Sequence, residues 1–494
     1  MPIKLQDLRR KIYIKAKAEP EWRFWGIYVH VCKMETLEEA YKLTKKSNGA
    51  PGIDGMTFES IEAEGLEKYL QQIRHELITK TYSPNRNRRK EIPKSGGKFR
   101  KLNIPTMKDR AMQALYLLAL EPVAETVSDR HSYGFRPKRS CADATVSCHL
   151  LLASRNQLQW ILEGDIKGCF DNINHEWLMK HIPMEKKILH RWLKAGFLES
   201  KTLYPTTAGT PQGGIISPIL ANLALNGLEK LLESRFGKLG SRRRNKIRSG
   251  VNVIRYADDF IISGNTREVL ENEVKPLVSS FLHERGLILS EEKTKITSIT
   301  AGFDFLGCNV RRYNKKLIIK PSKESIKRLL NKARALIKAN IANTQAVLIR
   351  LLNSLLRGWG NYYSHVCAKR AFHKIDHEIM CALWKWAKKR HPRKGLRWIK
   401  NRYFKVMNQR QWVFAAPICK NKPKEIRYLR LLRLIDIPIR RHVKIRADAN
   451  PLDFKWKKYF DERVKRTKML ASSFSREGSL LLVSPLKMLF SEES

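Results

Sequence analysis

Apolar and polar positions repeat with two periods along this chain, and the changes of period divide it. Apolar residues fall at helical spacing from Met34 to Ser47, the cluster Asn48-Gly49-Ala50-Pro51-Gly52-Ile53-Asp54-Gly55 interrupts them, and a second helix is predicted from Glu59 to Thr79. Between Tyr82 and Pro105 the chain is basic, with β-prone pieces on either side of Gly96-Gly97, which predicts a hairpin of two arms. Helix resumes from Asp109 to Val127. The apolar run Leu158-Gln159-Trp160-Ile161-Leu162 precedes Glu163-Gly164-Asp165, and Val251-Asn252-Val253-Ile254-Arg255 precedes Tyr256-Ala257-Asp258-Asp259-Phe260-Ile261-Ile262. Both read as strands of one sheet, and the apolar residues on each side of the acidic pair predict a hairpin with carboxylates at its turn. Helices between them, including Pro218 to Phe236, would cover that sheet.

After Pro321 the pattern becomes helical and basic. Ile326, Leu329, Leu330, Ala333, Leu336 and Ile337 recur on one face, while Lys327, Arg328, Lys332, Arg334 and Lys338 fill other positions. This helical domain is predicted to run through Trp384, Trp386 and Trp398 to Phe414, with Pro417 opening a last basic segment.

Charge narrows the class of partner. The 494 residues, enough for three or four domains at about 100 to 200 residues each, carry 96 Lys and Arg against 47 Asp and Glu, a formal net charge of +49. With a hydrophobic fraction of 43 %, the excess sits on folded domains and calls for a polyanion, RNA or DNA. A structural RNA binder such as a ribosomal protein would share that charge, so catalytic motifs have to separate the two readings. Cysteines at 32, 141, 148, 169, 308, 367, 381 and 419 include no C-x-x-C pair, so neither a zinc site nor a disulfide framework is expected. No apolar leader and no run of about 18 uncharged apolar residues is present, which predicts a cytoplasmic protein of a bacterial or organellar interior with no membrane partner.

The acidic positions carry the chemistry. Joining a nucleotide to a strand requires deprotonating a hydroxyl, in-line attack on a phosphate and neutralising the leaving pyrophosphate, all of which two Mg²⁺ ions held by oxygen ligands can serve. Asp258 and Asp259 at a turn, with Asp165 at the end of a neighbouring strand, suit that task; without metal, three close carboxylates would repel one another. Lys94 and Arg100 flank Ser95-Gly96-Gly97, which places two cations on opposite arms of a hairpin where a triphosphate fits between them.

The order of the motifs adds a resemblance. Ile92-Pro93-Lys94, Asp109-Arg110, Ser132-Tyr133-Gly134-Phe135-Arg136-Pro137, Asp165 to Asp171, Gly209-Thr210-Pro211-Gln212-Gly213-Gly214, Tyr256 to Asp259, Gly286-Leu287 with Lys293-Thr294, and Phe303-Asp304-Phe305-Leu306-Gly307 follow one another along the chain. This succession, over residues 30 to 320, resembles the reverse-transcriptase blocks of group II intron-encoded proteins. The resemblance implies an α+β right-hand polymerase with fingers, palm and a helical thumb. It implies metal binding by Asp165, Asp258, Asp259 and the Ile166 carbonyl, with Phe170 as the steric gate that favours dNTPs. Gln212 would line the nucleotide pocket, Lys293 would protonate pyrophosphate, and Phe303, Phe305, Leu306 and Gly307 would form the primer grip.

Beyond the palm, Trp359-Gly360-Asn361-Tyr362-Tyr363-Ser364 and Trp384 to Pro392 resemble the thumb called domain X, which binds group II intron RNA in splicing. Most of these aromatics are expected in the helical core, leaving Lys388, Lys389, Arg390, Arg393 and Lys394 as RNA contacts. The implied organisation is an N-terminal extension over 1–85, fingers and palm over 86–317, thumb over 318–415, and a basic region that contacts target DNA over 416–494. No cysteine follows Cys419 and no histidine follows His442, so the H-N-H endonuclease of longer members is not expected. Reverse transcription of the intron in retrohoming together with maturase activity is the leading reading. A splicing-only RNA-binding maturase and a retron-like defence reverse transcriptase are the alternatives.

Overall fold

The computed structural model describes residues 5–19, 32–93, 99–153, 158–199, 202–237, 250–314, 316–407, 409–418 and 427–472. The chain divides into two compact units, one of residues 1–144, 157–296 and 445–494 and the other of 145–156 and 297–444.

In the first unit the basic stretch folds as two antiparallel strands, Asn87–Pro93 and Phe99–Ile104, with Arg88 opposite Ile104 and Pro93 opposite Phe99. Phe197–Glu199 pairs parallel to the first of them and Thr202–Tyr204 completes the sheet. The acidic hairpin forms from Asn252–Tyr256 and Asp259–Gly264, and Trp160–Gly164 pairs antiparallel on its other side. Apolar residues of these strands and of the surrounding helices, among them Leu162, Phe260, Ile262, Leu115, Leu225 and Leu282, join one buried cluster. Burial on both faces explains why the strands read as continuous apolar runs.

Two predicted helices are each interrupted. The segment from Glu59 to Thr79 is Phe58–Glu64 followed by Leu66–Ile78, and Pro218 to Phe236 is Ser217–Leu225 followed by Leu228–Phe236. The breaks fall at Gly65 (φ 109°) and Gly227 (φ 96°), conformations that residues with a Cβ rarely take.

The N-terminal helix Leu5–Ala18 packs Leu8, Ile12 and Ala16 on Val123 of the helix Met107–Val127. The chain returns to this unit near its end: the fully buried Asp143 carboxylate accepts the Ile445 N–H at 2.7 Å and an Arg463 N–H at 2.9 Å. Asn450 donates to Glu125 at 3.0 Å.

The second unit carries the helices Lys323–Ala339, Gln345–Tyr363, Lys369–Arg390 and Leu396–Tyr403. Its helical run ends at Tyr403, short of the expected Phe414, and a sheet of Phe404–Met407, Arg410–Ile418 and Arg427–Arg430 follows. Phe404, Val406, Trp412, Val413 and Phe414 are aromatic or β-branched, a composition that suits a pleated surface better than a helix. Leu329, Leu330, Ala333 and Ile337 are buried as the spacing predicts. Trp386 is 3 % exposed and meets Tyr403 and Phe414 edge-on, whereas Trp398 is 42 % exposed.

Candidate active site

The acidic turn is set by strand register. Tyr256 pairs with Asp259, leaving Ala257 and Asp258 as a two-residue turn in which Ala257 takes φ 57°, the left-handed region that tight hairpins demand. Gly164 pairs with Phe260 on the neighbouring strand, so one residue further on Asp165 comes level with Asp259. Ile166 bridges to Leu289 just beyond, and the Asp165 carbonyl accepts the Ser290 N–H at 2.8 Å. Asp165 thus follows directly on its strand, anchored on one side by Ser290 and level in register with Asp259 on the other. Lys293 donates to Asp165 Oδ2 at 3.0 Å. Among the described residues no three His, Cys, Asp or Glu side chains are gathered in metal-holding geometry. The donor set at this edge is all oxygen, the kind a hard divalent cation prefers.

The Ser132-to-Pro137 motif braces this turn. Ser132 bridges in parallel to Arg255, and the Tyr133 N–H donates to the Arg255 carbonyl at 2.9 Å. Gly134 lies so close that a Cβ on it would stand 2.2 Å from the Ala257 nitrogen. Arg255, 2 % exposed, donates to Asn222, to Asn226 and to the Ala257 carbonyl at 3.2 Å, and burial lowers its guanidinium to about 10. Arg136 forms a two-pronged pair with Glu125 at 2.8 and 2.9 Å and caps the carbonyls of Asp129 and Ser132. These arginines are structural and fix the backbone that presents the aspartates.

Side-chain hydrogen bonds join Arg100, Gln212 and Asp171, the residue that follows Phe170. Arg100 Nε donates to Gln212 Oε1 at 3.1 Å, and Gln212 Nε2 donates to Asp171 Oδ2 at 2.9 Å. The Gln212 carbonyl accepts the Asn103 N–H at 2.6 Å, which ties the Pro-Gln-Gly turn to the basic hairpin. Phe170 is half-buried against the core and meets the exposed Phe135 edge-on at 6.4 Å. Lys94, the other cation of the predicted pair, lies outside the described residues.

In the second unit Phe303 and Phe305 are buried and alternate with the exposed Asp304 on one strand. The turn after them is held by two tyrosines: Tyr362 donates to the Leu306 carbonyl at 2.9 Å and Tyr363 to the Gly307 carbonyl at 3.0 Å. Lys388, Lys389, Arg393 and Lys394 are exposed at and just beyond the end of the helix Lys369–Arg390. Arg390 is differently employed, since its guanidinium donates to the carbonyls of Ile341 and Asn343 and lies over Trp386.

Residues 92–310 match the family model described as reverse transcriptase (RNA-dependent DNA polymerase), and residues 326–404 match the group II intron, maturase-specific domain. Protein YkfC of Escherichia coli (strain K12) is 34 % identical over 61 % of this chain and 87 % of its own length. The group II intron-encoded protein LtrA of Lactococcus lactis subsp. cremoris is 30 % identical over 69 % of this chain and 70 % of its own. An uncharacterized 91 kDa protein in the cob intron of Schizosaccharomyces pombe is 28 % identical over 66 % of this chain and 49 % of its own.

The chain belongs to the group II intron reverse transcriptases and maturases. Its fold is the α+β right-hand polymerase, and it is an RNA-directed DNA polymerase with a splicing maturase function. The family uses divalent metal ions and binds intron RNA. Among the described residues, no helix is long and apolar enough to cross a membrane.

Several side chains that make contacts around these motifs carry little signal in the sequence of this reverse transcriptase. Asp171 was visible only as the end of a motif block, and Tyr362 and Tyr363 only as thumb aromatics. Arg89, which stacks over Phe197 and donates to Asn103 at 3.0 Å, carried no signal beyond membership of a basic hairpin.

Proposed function

We propose that Asp165, Asp258 and Asp259, with the Ile166 carbonyl, hold two Mg²⁺ ions, and that the chain copies its intron RNA by extending a DNA primer at a target site, as retrohoming requires. The observation that carries this reading is the strand register that brings Asp165 level with Asp259 beside the turn. When bound, the metal pair supplies a deprotonated primer hydroxyl and charge neutralisation at the transferring phosphate. Arg100 and Lys94 would meet the triphosphate, Gln212 would hold the nucleotide from its turn, and Phe170 would lie under the sugar. Lys293, which donates to Asp165 Oδ2 at 3.0 Å, would give a proton to departing pyrophosphate. Primer grip by Phe303, Phe305, Leu306 and Gly307 would fix the attacking end.

The test is single-nucleotide extension of a DNA primer on an RNA template. Extension should require Mg²⁺, stop with chelator and return when Mg²⁺ is restored; extension undiminished by chelator would refute the metal assignment. On the same assay Phe170→Val should raise incorporation of ribonucleotide relative to deoxynucleotide, because a smaller side chain no longer fills the space a 2′-hydroxyl would take. An unchanged ratio in a variant that melts like the parent would remove Phe170 from that role.

For the maturase function the exposed cations Lys388, Lys389 and Arg393 are the proposed phosphate contacts; Lys394 stands beside them, and Arg390 contributes by shaping the same helix end. Replacing Lys388, Lys389 and Arg393 by Gln should weaken intron RNA binding and flatten its salt dependence, by about 0.7 to 0.9 log units of slope per lost contact. Extension on a short unstructured template should be spared. Filter binding across a salt titration decides it, and equal slopes for variant and parent would mean that these side chains are solvated without touching RNA. The proposed organisation follows: extension over 1–85, fingers and palm over 86–317, thumb over 318–415 and DNA-contacting region over 416–494.

A further inference from the structure

The short segment after Phe170 contains a carboxylate that the metal reading does not use. Asp171 stands six residues beyond Asp165, outside the acidic turn, and its Oδ2 accepts from the Gln212 side-chain amide at 2.9 Å. Asp171 is exposed, yet neighbouring protein partly desolvates its carboxyl and pushes it up, opposed first by Arg89, then by Arg100 and by the bond from Gln212. Its backbone is fixed as well: the Asp171 N–H donates to the Gly168 carbonyl at 2.9 Å, and the Phe170 carbonyl accepts the Thr210 N–H at 2.6 Å.

An ionised carboxylate only accepts hydrogen bonds, so it dictates which end of the neighbouring amide faces it. With Asp171 in place, the NH₂ end of Gln212 turns to the carboxylate and its Oε1 is left to face Arg100. Oε1 then accepts from Arg100 Nε at 3.1 Å. That bond takes the one guanidinium N–H on the stem side and leaves the two terminal nitrogens of the fork, the pair that grips an anion in two-pronged fashion. Without Asp171 the amide would be free to flip, and a flipped amide presents NH₂ to the guanidinium, donor against donor.

We infer that Asp171 is a positioning residue for the incoming nucleotide: through the Gln212 amide it sets the orientation of Arg100 before the triphosphate arrives. The inference rests on the proposed roles of Gln212 and Arg100 in the nucleotide pocket and assigns Asp171 no contact with substrate. A carboxylate that merely balanced Arg89 and Arg100 would support folding without depending on Gln212.

A double-mutant cycle separates these. Asp171→Ala, Gln212→Ala and the double variant are compared by KM for dNTP, by kcat and by melting temperature, with Asp171→Asn as the conservative variant for which loss of folding is least expected. Each single change should raise KM for dNTP about tenfold, the size of one charge-assisted hydrogen bond, with kcat changed much less. The double variant should be no worse than Gln212→Ala alone, since that change already cuts the relay. Asp171→Asn should fall between parent and Asp171→Ala, because its amide can still accept from Gln212. If Gln212→Ala raises KM but Asp171→Ala and Asp171→Asn do not, or if the two losses multiply, the relay is overturned while the pocket reading stands. If Gln212→Ala leaves KM unchanged, the pocket reading itself fails, and the relay with it.

Discussion

Replacing either Asp258 or Asp259 by Asn should lower nucleotide addition about a thousandfold, a loss typical of removing a group that stabilises charge in the transition state. Binding of intron RNA should survive, because the side chain keeps its size and Asp259 is exposed while Asp258 is half-buried. The melting temperature should hold or rise, since neutralising one of two adjacent carboxylates relieves repulsion in the metal-free protein. That combination, activity lost and stability kept, distinguishes a metal-binding aspartate from a structural one. Extension at the parent rate by either variant, measured under single-turnover conditions with saturating dNTP, would remove that residue from the site.

Periodicity carried most of the fold because the elements that matter are long or bounded by distinctive residues. The helix Lys323–Ala339 buries the face that its spacing predicts, and the acidic hairpin forms where apolar runs flank Asp258 and Asp259. Boundaries were less legible: Gly65 and Gly227 each split a helix because a single glycine interrupts the backbone without disturbing the apolar spacing on either side. The strand around Phe414 was absorbed into a helical domain because its aromatics continue a run of Trp and Tyr that is helical as far as Tyr403.

Side-chain partners were the least legible part of the site. Motif order named Asp165 and Gln212, and the basic hairpin named Arg100, yet the link from Arg100 to Gln212 spans 112 residues and that from Gln212 to Asp171 spans 41. Contacts of that range leave no mark in local spacing. The same holds for Tyr362 on Leu306, 56 residues apart, and for Arg463 on Asp143, 320 apart. Arg136 shows the converse: its place in a motif marked it for attention without revealing whether it binds ligand or, as its buried pair with Glu125 shows, fixes backbone.

Gly134 turns that bracing role into a test. A single methyl there would lie 2.2 Å from the Ala257 nitrogen and 2.9 Å from the Tyr256 carbonyl carbon, both backbone atoms that have no rotamer by which to move aside. Relief would require parting the Tyr133 N–H from the Arg255 carbonyl, now 2.9 Å, or the Asn222 amide from the Gly134 carbonyl, also 2.9 Å. Either shift displaces the turn that presents Asp258. Gly134→Ala should therefore cost about 1 to 3 kcal/mol of stability, as overpacking does, and lower kcat by about a hundredfold, the effect of misplacing catalytic groups by roughly an ångström. Gly395→Ala is the matched control, since a methyl at Gly395 meets no atom within 4 Å. Denaturant melts and single-nucleotide extension on the two variants decide the matter. A Gly134→Ala protein that melts and extends like Gly395→Ala would show that the motif does not brace the aspartate turn.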